Sequence, residues 1–231
     1  MKYDIEKIKK NCPCLNGIRY MDAVDSTNKE ARRIAPDGED NMLVIAERQD
    51  GGRGRLGRSW HCAGEDAIAM SILVKPQIDS KKVSMLTIIA ALAVSRGIAD
   101  AAGLDTSVKW PNDIKSDGRK ICGILSESVF SGSEFYSVIG IGINVNNDCF
   151  PDDISDIAGS VKQYTGKCVN REDIVIEIIN RFYEYYEVLC REGDLSSLMD
   201  EYNGKCITEG GINKYGELIL ADGSLKRSGE V

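Results

Sequence analysis

The sequence predicts an α+β fold, a mixed sheet backed by helices, on three observations. Short apolar runs of strand length recur at residues 42–46, 67–74 and 135–145. Two longer stretches, 84–102 and 171–191, have helical composition and period. An Asp-Gly turn at 117–118 joins two adjacent extended runs into a hairpin. Mixed strands, with helices set between hairpins, do not follow the strict alternation of a doubly wound parallel sheet.

The elements follow in order. Asp25 or Ser26 reads as the N-cap of a short helix through residues 29–35. The run at 42–46 is continuously apolar, as a buried strand is, and opens into a loop at 49–60. Residues 67–74 make a second strand. The stretch SMLTIIAALAVSRGIADAA at 84–102 is a helix that Gly103 stops. Val108-Lys109-Trp110 is extended, because Pro111 pushes the residue before it out of the helical region. Ile114-Lys115 and residues 120–129 flank the tight turn, and the strand at 135–145 ends in Gly140-Ile141-Gly142-Ile143-Asn144. Asn170 caps the last long helix, apolar at Ile174, Ile178, Phe182, Tyr185 and Leu189. Residues 207–231 are Gly-rich, short and strand-like. A body at 1–195 and a small C-terminal β module at 200–231 are therefore expected.

At 231 residues the chain can bury a full core without staples. With 42% hydrophobic and 28% charged residues it is ordinary for a globular protein, which argues against wholesale disorder. The net charge of −7 makes nucleic acid a poor default partner, since phosphate binding needs a basic face. No apolar run has the length of a membrane span, and the charged N-terminus, Met1 to Lys7, lacks the apolar centre of a signal peptide. A cytoplasmic address without membrane attachment is expected. Eight scattered cysteines contain no C-x-x-C pair and read as free thiols. His61 is the whole imidazole supply, which excludes a His-rich metal site.

Gly52-Arg53-Gly54-Arg55-Leu56-Gly57 fits G-x-G-x-x-G, but the dinucleotide fingerprint needs a helix directly afterwards. Here Arg58-Ser59-Trp60-His61 and another strand follow. The physical content of the loop is different. Glycines let backbone N–H groups approach a ligand, and Arg53, Arg55 and Arg58 bring forked donors suited to carboxylate and phosphate. Lys109-Trp110-Pro111-Asn112-Asp113 sets a cation, an aromatic, an amide and a carboxylate within five residues. Read alone, it is an ordinary strand exit with Trp110 in the core. Lys120 alone is a solvated hairpin lysine, and Gly140 to Asn146 alone is a buried strand.

Together these segments resemble one family. D-S-T-N at 25–28, G-R-G-R-x-G-R-x-W at 52–60, K-W-P-N-D at 109–113, G-R-K-x-x-G-I-L at 118–125 and G-I-G-I-N-V-N at 140–146 are similar, in that order, to the catalytic domain of biotin–protein ligases. Their fold is the one shared with class II aminoacyl-tRNA synthetases. The resemblance implies that Ser26, Thr27, Asn28, Gln49, Gly52 and Gly123 line a biotin pocket. It implies that Arg53, Gly54 and Arg55 close over the biotin carboxylate and the adenylate phosphate, with Lys120 at the carboxylate end. Lys109, Asn112, Asn144, Arg58 and Trp60 fall on the ATP side, and Lys109, Lys120 and Arg53 are the expected catalytic groups. The implied reaction forms biotinyl-5′-AMP from biotin and ATP, with Mg2+ carried by the pyrophosphate, and then biotinylates a lysine of a biotin carboxyl carrier protein.

The ionised carboxylate is its own nucleophile, so cations and backbone donors that let two anions meet are what the chemistry requires. A lipoate or octanoate ligase of the same fold, or a non-catalytic biotin-binding regulator, are the alternatives. The Arg-Gly loop argues against the first, and Lys109 with Lys120 against the second. Bifunctional members carry an N-terminal helix-turn-helix domain, whereas some two dozen residues precede Asp25 here, so repressor activity is not expected. The family's C-terminal SH3-like barrel is recognisable only from Gly211 to Val231 and reads as shortened. A monomer or weak homodimer is expected. Residues 51–59 are expected to be mobile until an anion arrives.

Overall fold

The computed structural model describes residues 2–58, 60, 66–132 and 134–228. Seven strands form one sheet in the order β1-β2-β3-β7-β6-β5-β4. They are β1 (Gly17–Val24), β2 (Met42–Gln49), β3 (Ala67–Val74), β4 (Ser107–Lys109), β5 (Asp113–Ser116), β6 (Arg119–Ser131) and β7 (Glu134–Asn144). Only β1 and β2 run parallel, so the sheet is mixed, as expected. The helices are α1 (Ile5–Asn11), α2 (Thr27–Ile34), α3 (Met85–Ala102), α4 (Val161–Thr165), α5 (Arg171–Glu192) and α6 (Met199–Lys205).

The two faces of the sheet have different fates. On one face Leu43, Ile45, Ile68, Met70, Ile72, Ile139, Ile141 and Ile143 pack beneath α3 and α5 in the main core. The helices approach closely because Gly97 stands where a Cβ would lie 2.6 Å from Ile178 Cγ1. Glycine inside a helix costs ~1 kcal/mol against alanine, which close packing here offsets. On the other face α2 covers only part of the sheet, where Ala31 and Ile34 meet Val44, Leu73, Tyr136 and Val138. The rest of that face holds the candidate site.

Helix α3 ends at Gly103, in the left-handed conformation, and Asn170 caps α5 through its side chain, both as the sequence predicts. Helix α3 is, among the described residues, long and apolar enough to cross a membrane, which the sequence reading did not expect. Most of it is buried against the sheet and α5, so its apolar character belongs to the core. Helix α1 and strand β1 are additions to the predicted elements. The N-terminal segment is tied down by a buried cluster. The Arg171 guanidinium donates to Glu47 Oε2 (2.8 Å) and the Ala67 carbonyl (3.1 Å), and it lies 4.1 Å from the Tyr3 ring centre. The Tyr3 N–H donates to Glu47 Oε1 at 2.7 Å.

After α6 the only strands among the described residues are β8 (Leu218–Ile219) and β9 (Leu225–Lys226), a small hairpin. This segment leans on the body: Trp110 Nε1 donates to the Gly216 carbonyl, and Ile212 and Leu218 join the main core. The seven described cysteines are free thiols, and burial pushes Cys12 up to about 12. Cys62, His61 and Ser59 lie outside the described residues, as do Gly229, Glu230 and Val231.

Candidate active site

Strand register places seven residues, one from each strand, in a single row: Met21, Ala46, Ala69, Gly142, Gly123, Asp113 and Lys109. Directly paired residues project from the same side of a sheet. Four consecutive small residues therefore make a trough across the centre. A carboxylate and a cation stand at one end of it.

The Trp60 indole lies in this trough, packed on Ala67 and Ala69. A Cβ added at Gly142 would collide with the indole ring, and one at Gly123 would lie 3.2 Å from Trp60 Cζ3 and 3.1 Å from Lys120 Nζ. Glycine at these two positions is what gives the trough its depth. Trp60 Nε1 is buried there without a hydrogen-bond partner. Lys120 Nζ bonds Asp113 Oδ1 at 2.7 Å and sits 5.7 Å from the centre of the Trp60 ring. The sequence-level alternative for Lys120, a solvated hairpin lysine, does not describe this half-buried position.

Hydrogen-bonding groups gather beside the trough, along the neighbouring row of Val44, Ser71, Gly140 and Leu125 next to α2. Ser26 takes the N-cap position of that helix, but its hydroxyl makes no capping bond, and Asp25 Oδ1 accepts the Ser26 N–H instead. Gln49 Oε1 accepts from the Thr27 N–H (2.9 Å) and hydroxyl (3.2 Å). Ser71 Oγ lies 2.8 Å from Thr27 Oγ1 and 2.7 Å from Asn28 Oδ1. Asn28 Nδ2 donates to Glu127 Oε2 at 2.7 Å, and Asn28 Oδ1 occupies the space a Cβ at Gly140 would need. Thr27, Asn28 and Gln49 thus meet as the sequence expects. Ser71 and Glu127 complete the set without having been singled out, beside Gly140 of the G-I-G-I-N-V-N segment, because their membership depends on register.

The arginine loop leaves β2 and returns at Trp60, whose N–H donates to the Gly52 carbonyl at 2.9 Å. Residues 55–57 form a 3-10 turn. Arg55 crosses the site: its guanidinium donates to Asn112 Oδ1 at 3.2 Å and to the Ser228 carbonyl. Burial lowers its pKa, against the opposing pull of Asp113. Asn112 in turn donates to the Ile124 carbonyl at 2.9 Å, which fixes the turn after β4 to β6. Arg53 and Arg58 are exposed, and their guanidiniums have no partner among the described residues. Lys109 is exposed at the far end of the row. Asn144 is nearly buried and donates to the Gly159 carbonyl at 3.1 Å.

Two cavities flank the trough. One, about 390 Å³, is lined by Arg55, Asn112, Leu125, Glu127 and Ser228 among others. The second, about 530 Å³, is bounded by Gly52, Arg53, Arg58, Trp60, Asn147 and Phe150 among others. The residues expected on the nucleotide side thus divide between them: Arg55 and Asn112 in the first, Arg58 and Trp60 in the second.

A mixed sheet thus carries a glycine-floored trough with hydrogen-bonding amides and hydroxyls along one side, a cation at one end and an arginine loop beside it. The chain belongs to the biotin/lipoate A/B protein ligase family, which it matches over residues 20–144. It is similar to the bifunctional ligase/repressor BirA of Bacillus spizizenii, with 42% identity over 72% of this chain and 53% of the relative. Similarity to the biotin–[acetyl-CoA-carboxylase] ligase of Mycobacterium tuberculosis is 32% over 63% of this chain and 56% of the relative. The chain spans about half the length of the curated relatives it matches. Its fold is similar to the biotin protein ligase of Aquifex aeolicus in complex with biotin and ATP, with a TM-score of 0.80 and 26% identity, covering 94% of this chain and 97% of that one.

Proposed function

We propose that the protein is an ATP-dependent biotin–protein ligase. In this reading it converts biotin and ATP to biotinyl-5′-AMP and pyrophosphate, then passes the biotinyl group to a lysine of a biotin carboxyl carrier protein. The observation that carries the reading is the cross-strand row, a small-residue trough flanked by the Thr27–Asn28–Gln49–Ser71 amide and hydroxyl cluster and ended by the cations Lys120 and Lys109. Biotin has that same layout: a ureido ring that gives and takes hydrogen bonds, an apolar chain, and a carboxylate.

Each residue then has a task. Thr27, Asn28 and Gln49, with Ser26 beside them, hold the ureido ring. Gly52 and Gly123 let the ligand approach the backbone. Lys120 fixes the carboxylate, and Arg53, Gly54 and Arg55 bring donors to the forming acyl phosphate. Lys109, Arg58, Asn112 and Asn144 border the nucleotide. The carboxylate oxygen attacks the α-phosphorus and pyrophosphate leaves, so no side chain needs to lose a proton in that step. Two anions are brought together by fixed cations, which is where the rate is gained. In the second step the carrier's neutral lysine amine attacks the acyl carbon and AMP departs. Magnesium would be carried by the ATP phosphates and would help to neutralise them. The same reading sets a catalytic domain at 1–195 and a small C-terminal β module at 200–231, which the β8–β9 hairpin supports.

The test is biotin-dependent exchange of labelled pyrophosphate into ATP, run in parallel with lipoate and octanoate. Exchange with biotin alone supports the reading. Exchange with lipoate or octanoate instead would assign the site to the other branch of the family.

A further inference from the structure

We propose that Glu127 is a positioning residue. It fixes which way round the Asn28 amide lies, and with it the direction of hydrogen bonding through Ser71 and Thr27 at the ring end of the ligand. The inference rests on the ligase reading for the identity of that ring. An asparagine amide has nearly the same shape either way round, so its partners decide which atom goes where. Asn28 is nearly buried, and its Nδ2 donates to Glu127 Oε2 at 2.7 Å and to the Leu125 carbonyl at 3.2 Å. A carboxylate paired with an arginine and a carbonyl are both acceptors only, and the carboxylate makes the stronger, charge-assisted bond. Glu127 is held in turn by Arg32, one turn further along α2, whose Nη1 donates to Oε1 at 3.2 Å. Asn28 Oδ1 is thereby turned to Ser71 Oγ, 2.7 Å away.

The consequence runs outward from this bond. Ser71 is fully buried, and its one hydroxyl proton goes to Asn28 Oδ1, which can only accept. The Ser71 oxygen, 2.8 Å from Thr27 Oγ1, is then an acceptor. The Thr27 proton goes to that oxygen or to Gln49 Oε1, 3.2 Å away. Either way Thr27 Oγ1 has only lone pairs left to offer, which suit a ureido N–H. A flipped Asn28 reverses the line: Nδ2 donates to Ser71, the Ser71 proton turns to Thr27, and a lone pair meant for the ligand is taken. Biotin must then select the molecules with the amide the right way round, and its apparent affinity falls by that fraction.

The experiment measures biotin affinity by calorimetry, and steady-state pyrophosphate release, in Glu127→Gln, Arg32→Ala and the double variant. Glutamine keeps the shape of glutamate, but one of its two terminal atoms donates. Arg32, a donor only, takes the oxygen and turns the new amide nitrogen towards Asn28, which favours the flipped state. Glu127→Gln should weaken biotin binding about ten-fold and raise KM for biotin in step, with kcat at saturating biotin and KM for ATP within about threefold of wild type. Those two unchanged constants show that the variant is folded. Arg32→Ala alone keeps the carboxylate and should bind biotin within about threefold of wild type. In the double variant the glutamine oxygen is free to face Asn28, so affinity should recover to within about threefold, whereas independent losses would add. Wild-type affinity in Glu127→Gln, a double variant no tighter than the single one, or a loss confined to kcat overturns the proposal. A wild type that binds no biotin overturns the ligase reading and this one with it; a wild type that binds biotin while Glu127→Gln is unaffected overturns this one alone.

Discussion

Lys120 Nζ is held 2.7 Å from Asp113 Oδ1, and the two residues close one end of the trough. The Lys120 backbone is fixed as well, its N–H donating to the Ile157 carbonyl at 2.7 Å. In the ligase proposed above, the biotin carboxylate would share this ammonium with a resident one. A half-exposed ion pair is worth only ~0–1 kcal/mol to stability. As the electrostatic partner of a reacting carboxylate and phosphate, the same cation is worth ~2–4 kcal/mol.

Lys120→Ala should slow biotin-dependent pyrophosphate release by ~2–4 kcal/mol of barrier while leaving the unfolding midpoint nearly in place. Single-turnover kinetics and a thermal melt separate the two effects. Near-normal turnover would return Lys120 to the role of a surface hairpin lysine.

Gly142→Ala tests the trough itself. The added methyl meets the indole in the present arrangement and narrows the floor for any ligand that replaces it. Overpacking of this kind costs ~1–3 kcal/mol, so biotin affinity should fall by roughly ten-fold or more. Calorimetry showing wild-type affinity would place the acid elsewhere.

The long helices were legible because their signals are local: a capping Asn170 and a terminal Gly103 need no knowledge of the rest of the chain. Strand β1 was not, because it is an edge strand with mixed burial, and α1 has a single fully buried position, Ile8. At the site, motif order brought out Thr27, Asn28, Gln49, Gly123 and Lys120. Register decided what no motif could show: that Ala46, Ala69 and Gly142 continue the Gly123 floor and that Lys109 and Asp113 end it. Ser71 reads in the sequence as a polar interruption of an apolar strand. Only the sheet shows it beside Asn28.

Arg53 and Arg55 stand two residues apart in one glycine-rich loop. The structure separates them. Arg55 bonds Asn112 and the Ser228 carbonyl and is half-buried, so Arg55→Ala should cost ~1 kcal/mol of stability as well as adenylate retention. Arg53→Ala should leave stability within ~0.5 kcal/mol and release biotinyl-5′-AMP faster. Denaturant melts and trapping of the released adenylate check both; equal melts for the two variants would contradict the difference.

Breaking the buried Glu47–Arg171 pair should be costly out of proportion to its distance from the site. Glu47→Leu leaves a nearly buried guanidinium without its carboxylate, at ~3–5 kcal/mol. The double change Glu47→Leu with Arg171→Met should recover most of that loss, as read by urea melts. A mild single variant would mean that the ion pair is well solvated.

Four glycines make residues 51–59 expensive to order, at ~1–2 kcal/mol per residue, and three like charges add repulsion. Biotin should therefore slow trypsin cleavage after Arg53, Arg55 and Arg58. Equal cleavage with and without biotin would remove the loop from ligand closure.

Whether this chain joins biotin to a carrier lysine is tested most directly by mass spectrometry. A biotin carboxyl carrier domain is incubated with the protein, ATP, magnesium and biotin, and its intact mass is measured. The carrier should gain one biotinyl group on its acceptor lysine, and none without ATP. A carrier of unchanged mass after incubation, while the protein still binds biotin, would contradict it.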